Sequence, residues 1–460
     1  MDTILDFVSS YGAALAYRDL SAPVIHQLKR RVIDTFGCAL GCIDMELPAL
    51  ARSHALEVRS HPGSTVLGTR HATSPETAAF ANGVAVRYLD FNDTSIAGNA
   101  GHPSDNTMAV VAAGQYADAD MRSIMLGIVF AYEVHGRFGA ACGKIRANGW
   151  DNAVYVGLAS AAGAAKAMGL GKSQMAHALA LAAVANAPMG QTRVGHLSTW
   201  KGCTAPNAAR NGIFAALLAR RGMTGPEEAF EGSRGFKKQL GTTLDLGLFG
   251  GDGRGFAIET DKFKSYPCDY EAQCALEPAL KLHEALQGKV NEIESVDIET
   301  YEHAILISAD SPAKWSPKTR ETADHSLPYV VAVGLARGAL WLEDFEDERI
   351  ADPAIHALMQ KIKVRSTEEC NRSWPEAYPF RMSVSMKSGE QHVEEVRYAK
   401  GHPKNPLSDS EIEAKFRRLA GPVMEQKRID HALDRLWQLE EMKSAEELME
   451  LFVLDKLVNQ

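Results

Sequence analysis

GLASAAGAAKAMGLG, residues 157–171, followed by SQMAHALALAAVANA, residues 173–187, decides the fold of this chain. Both runs are dense in Ala and Gly and hold no Pro, so they favour helix. Side chains this small also let neighbouring helices come close. The pair therefore predicts central helices buried on most sides. Upstream, PVIHQLKRRVIDTFGCALGCI (23–43) repeats apolar groups at Ile25, Leu28, Val32, Phe36, Leu40 and Ile43. That is a stripe of helical period, opened by Ser21 and Pro23 as start signals. Downstream, NAARNGIFAALLARRGMTG (207–225) is a further helix with a Gly stop. LGLFGGDGRG (246–255) is glycine-rich without the spacing or preceding strand of a dinucleotide loop, so it reads as a hinge or a boundary.

From about residue 263 the texture changes. VNEIESVDIETYEHAILIS (290–308) alternates as a strand does, and KIKVRS (361–366) reads as a second. FRMSVSMKSG and EQHVEEVRYA (380–399) form a hairpin around Lys387. Helices intervene at 274–287, 327–341 and 352–360, and the stretch 409–440 returns to helix. The expected fold is mostly α. A helical domain of residues 1–262, completed by 403–460, carries an inserted α+β domain of residues 263–402.

At 460 residues, two domains are the expected number. Net charge is −9 with no basic stripe, which argues against nucleic acid or an anionic membrane as partner. No apolar run approaches the ~18 residues of a membrane span. MDTILDFVSSYG, with two Asp and no basic leader, does not read as a signal or transit peptide. Seven scattered Cys without a CxxC pair read as reduced thiols, hence a cytoplasmic protein.

Four segments concentrate chemistry. The first, YLDFNDTSIAGNAGHPSDN (88–106), lies between two apolar helical runs and holds Asp90, Asp93, Thr94, His102, Ser104, Asp105 and Asn106. Buried polar groups cost ~1–3 kcal/mol each when unsatisfied, so this density points to use. Asp90 and Asp93, three apart, share a face if the segment is helical. His102, before a Pro, sits on extended backbone, and its imidazole is the side chain best matched to proton transfer near neutrality. The competing reading is a set of caps and turns. In the second, STWKGCTAPNAARNG (198–212), Lys201 precedes a helix start and can meet an anion there. In the third, FKSYPCDYEAQ (263–273), Lys264 stands at the domain boundary, where pockets form. In the fourth, SPKTRETADHSLPYVVAVGLARG (316–338), His325 and Tyr329 are spaced to face one way. Surface lysines and a capped helix are the competing readings for these three. There is no HExxH or paired CxxC, so no metal is expected. The Asp-rich LDFND lacks the second acidic motif that a Mg²⁺–diphosphate site needs.

In this order, RYLDFNDT…GHPSDN, WKGCTAPNAARNG, FKSYPCDYEAQ, KTRETADHSLPY and GHPKNPLSDSEIEAKF resemble the MmgE/PrpD family nearly end to end. That family holds 2-methylcitrate dehydratases, cis-aconitate decarboxylases and iminodisuccinate epimerases. The resemblance implies a helical domain with an α+β lid, a homodimer, no required cofactor, and a small polycarboxylate as substrate. It implies a lyase-type dehydration, with a place in propionate metabolism. Decarboxylation, epimerisation and a non-catalytic polycarboxylate binder are the alternatives. By motif it makes Asp90, His102, Lys201 and Lys264 catalytic, and Thr94, Asp93, His325 and Tyr329 substrate-binding. Two positions depart from a common pattern. Asn152 in GWDNA and Glu271 in DYEAQ stand where many relatives carry His.

Overall fold

The computed structural model describes residues 2–143, 145–195 and 197–458, with the side chains of residues 96, 97 and 458 excepted. The helix Ala153–Ala167 runs through the centre of the helical body, and every residue in it but Lys166 is buried. Its small residues make that possible. A Cβ on Gly212 of the neighbouring helix Thr204–Arg220 would lie 2.4 Å from the Gly157 carbonyl oxygen, so the two backbones touch. The next helix, Lys172–Ala185, is central on one side only. Met175, Ala178, Leu179, Ala182 and Ala183 are buried, while Val184 is 55% exposed. Its composition alone does not reveal which face looks outward.

The helix Ala22–Leu40 starts where expected, with Ser21 Oγ accepting from the Val24 amide, and buries Leu28, Val32, Phe36 and Leu40. It forms part of one large apolar core, which draws on residues from Ile4 to Phe263 and again from Leu407 to Leu457. A second core gathers residues from Cys268 to Ala399. In it a four-stranded sheet runs in the order Ile362–Ser366, Ile293–Thr300, Phe380–Met386, Gln391–Val396. The first pair is parallel and the other two antiparallel. The last two strands are the hairpin around Lys387. Phe380, Met382, Val384 and Met386 alternate inward to the core. The helices Tyr270–Leu286 and Leu327–Arg337 belong to this second core.

One reading is corrected. The strand predicted across 290–308 ends at Thr300, and Glu302–Ser308 is helix. Apolar spacing in EHAILIS fits either period over so short a run. The chain passes between the two cores at Lys264 and again near residues 400–406, so Lys264 stands at the junction.

Candidate active site

Between the two cores lies a cavity of about 980 Å³. Its walls come from the helical body at Arg87–His102, Arg146–Asn152 and Met189–Lys201. From the α+β side they come at Lys264–Glu271, Leu306–Lys314 and Thr322–His325. Among the described residues six cationic side chains line it: Arg87, Arg146, Arg193, Lys201, Lys264 and Lys314. Asp90, Asp151, Asp269, Glu271 and Asp310 share the same walls, so the cations are fixed in place by neighbouring carboxylates and can orient the carboxylates of a small polyanion.

At its centre is Asp90, 1% exposed. The helix Pro75–Tyr88 stops just before it, and Asp90 takes the left-handed φ of 50°, which costs a non-glycine residue roughly 1 kcal/mol. This bend turns the carboxylate into a nest of cations. Oδ1 lies 2.5 Å from Arg87 Nη1 and 2.9 Å from Lys264 Nζ. Oδ2 lies 3.3 Å from His325 Nε2 and 3.9 Å from Lys201 Nζ. Lys264 also donates to the Asp90 carbonyl at 2.8 Å. Burial alone would raise the Asp90 pKa, but Arg87, Lys264, His325 and Lys201 together outweigh it and hold the carboxyl well below its ordinary range.

Asp324 forms the other half of the cluster. Lys201 donates to its two oxygens at 3.1 and 3.2 Å, and His325 Nδ1 lies 2.5 Å from Oδ1. Burial pulls the Lys201 pKa down against the opposing pull of Asp324 and Asp90. Asp90, Asp324 and His325 offer ligand atoms within 4.8 Å of one another. Lys201, Lys264 and Arg87 already occupy that triangle as counter-charges, so a metal ion would have to displace an ammonium group.

His102 reaches the cavity through a short hairpin, Ser95–Ala97 against Asn99–Gly101, which returns the chain to its starting point. Gly98, at φ 82°, makes the turn where a Cβ would come within 2.9 Å of the Ala140 carbonyl oxygen. The His102 ring Nδ1 lies 2.7 Å from the Asp93 carbonyl oxygen, which can only accept. Nδ1 therefore carries the proton, and Nε2, 3.8 Å from Asp90 Oδ1, keeps its lone pair. Burial, Arg87 and Lys264 push the His102 pKa well down, so the ring is neutral at pH 7.

The structure thus gathers Asp90, Thr94, His102, Lys201, Lys264 and His325 on one cavity. Thr94 Oγ1 donates to the Gly101 carbonyl at 3.1 Å, leaving its oxygen lone pairs free. Two expected residues stand elsewhere. Asp93 lies behind the loop, where Oδ1 accepts from Ser104 N and Oγ at 3.0 and 2.6 Å and Oδ2 accepts from Tyr132 at 2.8 Å. The segment bends at Asp90 instead of continuing as helix, so the two carboxylates part. Tyr329 lies in the second core and donates its hydroxyl to the Asp344 carbonyl, away from the cavity. Its spacing from His325 assumed one helix, but the helix begins at Leu327 and His325 lies in the loop before it.

Sequence reasoning missed Arg87 and Arg193, and noted Asp324 in the fourth segment without giving it a role. Arg87 could have been found by its three-residue spacing from Asp90 at a helix end, and the role of Asp324 by its place next to His325. Arg193, held by Asp151 at 2.5 Å, ends the one-turn 3-10 helix Gly190–Arg193, which has no local signal. Asn152 braces the hairpin, donating to the Ala100 carbonyl at 2.8 Å.

A half-buried, tautomer-fixed imidazole facing clustered cations defines a candidate acid–base site for a small polyanion. The chain belongs to the MmgE/PrpD family: its N-terminal domain profile matches residues 7–248 and its C-terminal domain profile residues 266–439. The 2-methylcitrate dehydratase of Salmonella typhimurium is 29% identical, over 98% of this chain and 96% of its own length. That of Cupriavidus necator is 30% identical over 78% of this chain and 75% of its own. The cis-aconitate decarboxylase of Homo sapiens is 26% identical over 94% and 91%.

Proposed function

We propose that this protein is a dehydratase that eliminates water from a small hydroxy-polycarboxylate of the 2-methylcitrate type. The observation that carries the reading is His102, a neutral imidazole whose free Nε2 looks into a cavity lined by six cations. Substrate carboxylates meet Lys201 and Lys264, with Thr94 as a hydrogen-bonding partner. His102 Nε2 takes the proton from the carbon beside a carboxylate. The enolate-like charge that develops is stabilised by the same ammonium groups, already fixed in place by Asp90 and Asp324. Asp90 holds Lys201, Lys264 and His325 in position; it does not itself move a proton, because its carboxyl stays ionised.

The depressed His102 pKa has a direct consequence. Activity that needs the neutral ring persists as pH falls below the ordinary histidine value of about 6.5 and fails only well below it.

In this reading the 263–402 module acts as a lid over the helical body, and the protein works in the cytoplasm as a homodimer. All seven Cys are free and buried, which suits a reducing compartment. No helix among the described residues is long and apolar enough to cross a membrane. A second reading, decarboxylation of cis-aconitate or a similar acid, draws on the Homo sapiens relative and uses the same carbanion chemistry.

The test is turnover of a panel of di- and tricarboxylates, followed by ultraviolet absorbance of the new alkene, by CO₂ release and by substrate C–H exchange in D₂O. Alkene formation without CO₂ is expected. CO₂ release would replace dehydration with decarboxylation, and exchange without either product would mean epimerisation. Tight binding with no reaction at all would leave a polycarboxylate-binding protein.

A further inference from the structure

His102 accounts for the base in an elimination but not for the acid. Hydroxide leaves poorly unless it is protonated as the C–O bond breaks. Lys201, Lys264 and His325 are held by Asp90 and Asp324. Among the described residues the cavity wall also carries two protic side chains with an unpartnered oxygen, Tyr270 and Glu271; burial holds the Tyr270 hydroxyl well above its ordinary pKa, which leaves the Glu271 carboxyl as the stronger acid. Glu271, in the first turn of the helix Tyr270–Leu286, is 3% exposed and lines the cavity. Among the described residues its Oε1 has no hydrogen-bond partner. A carboxylate in that position would cost far more than a carboxylic acid.

The neighbourhood decides between the two forms. Asp269 caps the helix and takes the available amides, those of Glu271 and Ala272, at 3.0 and 3.2 Å; Ser308 Oγ adds a third donor at 2.6 Å. The two adjoining carboxyls compete for one set of donors, and Asp269 holds it. Burial first, and then the Asp269 charge, raise the Glu271 pKa well above the ordinary range. Other ionisable groups facing Glu271 are Lys262 from the helical body, Arg146 across the cavity, and Cys274, Tyr301 and Tyr378 around it. Of these Arg146 and Lys262 favour its ionisation, and burial together with Asp269 outweighs them.

We infer that Glu271 is the general acid of this site, a catalytic residue that protonates the departing hydroxyl. The inference rests on the dehydratase reading. His102 Nε2 takes the C–H proton, and that bonding pair becomes the new C=C π bond. The C–O pair leaves with oxygen, which takes the Glu271 proton and departs as water. Glu271 is left as a carboxylate beside ionised Asp269, and His102 as imidazolium. Both are unfavourable where they stand, so exchange with solvent resets them. At one of the two positions where relatives carry His, this chain therefore carries a different acid, not a gap.

The experiment compares wild type, Glu271→Gln and Glu271→His on a hydroxy-polycarboxylate and on its analogue with fluorine in place of the hydroxyl. Fluoride departs without a proton. Gln replaces a neutral side chain by a neutral one, so the fold should survive. Expected for Glu271→Gln is a loss of about 100-fold or more in kcat on the hydroxy acid with KM little changed, fluoride elimination retained, and the alkaline fall of the pH profile gone. Glu271→His should keep activity with that fall moved to a different pH. Equal activity of wild type and Glu271→Gln on the hydroxy acid overturns the assignment. So does equal loss on both substrates, which marks a positional role, and so does an unshifted profile for Glu271→His. A wild type inert toward both substrates overturns the dehydratase reading itself, and the acid role with it.

Discussion

Asp90 and Asp93 are three residues apart, equally buried, and equally able to bind a ligand on paper, yet the fold gives them opposite tasks. Asp90 turns toward the cavity and meets Arg87, Lys201, Lys264 and His325. Asp93 turns away into a network that holds the loop together. There it accepts from Ser104 and Tyr132, with Arg31 Nη1 at 3.7 Å. Beside it Lys415 pairs with Asp34 at 2.6 Å and donates to the carbonyls of Phe91 and Lys264 at 2.8 and 2.9 Å. That one ammonium group ties the Asp90 loop to Lys264 from the rear. The front cluster leaves cations facing open space. The rear network spends its polar groups on the protein itself, so only the front can meet a substrate.

The sharpest way to break this comparison is to remove each carboxylate's or cation's partner in turn. Asp90→Ala strands four cationic or titratable partners and should lose about 3–5 kcal/mol of stability in urea unfolding, with activity abolished. Lys415→Met should cost somewhat less, about 3 kcal/mol, because the Phe91 ring still packs the site. Its kcat should fall and its KM rise, since both the Asp90 loop and Lys264 lose their rear tie. If Lys415→Met proves as active as wild type, the rear network does not position the front.

Asp105 sharpens the contrast through pH. Burial, opposed by Arg87, raises its pKa to about 7. A carboxyl raised on folding contributes stability that is present below its unfolded pKa and lost as pH rises through about 7, at about 1.4 kcal/mol per pH unit. Asp105→Asn removes that loss, so its gain in Tm should be larger near pH 8 than near pH 5; a gain independent of pH would contradict the assignment. The smallest effect belongs to Tyr329→Phe. It removes one hydrogen bond to the Asp344 carbonyl, worth ~1 kcal/mol, and should leave kcat and KM unchanged. A changed KM would return Tyr329 to the substrate.

Much of this was legible before the structure. The Ala/Gly run 157–171 marked the central helix because only small residues permit its backbone contacts. Strand alternation at 380–399 marked the sheet because one face is buried. Polar density between apolar helices marked Asp90 and His102, and the domain boundary marked Lys264. What stayed hidden depended on geometry that no local pattern records. The bend at Asp90 separates it from Asp93. The loop before Leu327 separates His325 from Tyr329. Asp324 reaches Lys201 across 123 positions, a pairing made only when the two cores meet. Glu271 was visible as a departure from its relatives, but the upward push on its pKa follows from its burial and from Asp269 beside it.

The central claim is that His102 removes the substrate proton, and His102→Ala tests it most directly. His102 stands at the cavity wall with 13% of its side chain exposed, so the variant should fold with a near-native Tm. With wild type shown to form the alkene, kcat for the variant should fall by about 10²–10⁴-fold, and exchange of the substrate C–H with D₂O should fall with it. A variant that forms alkene and exchanges that proton at the wild-type rate would contradict the account.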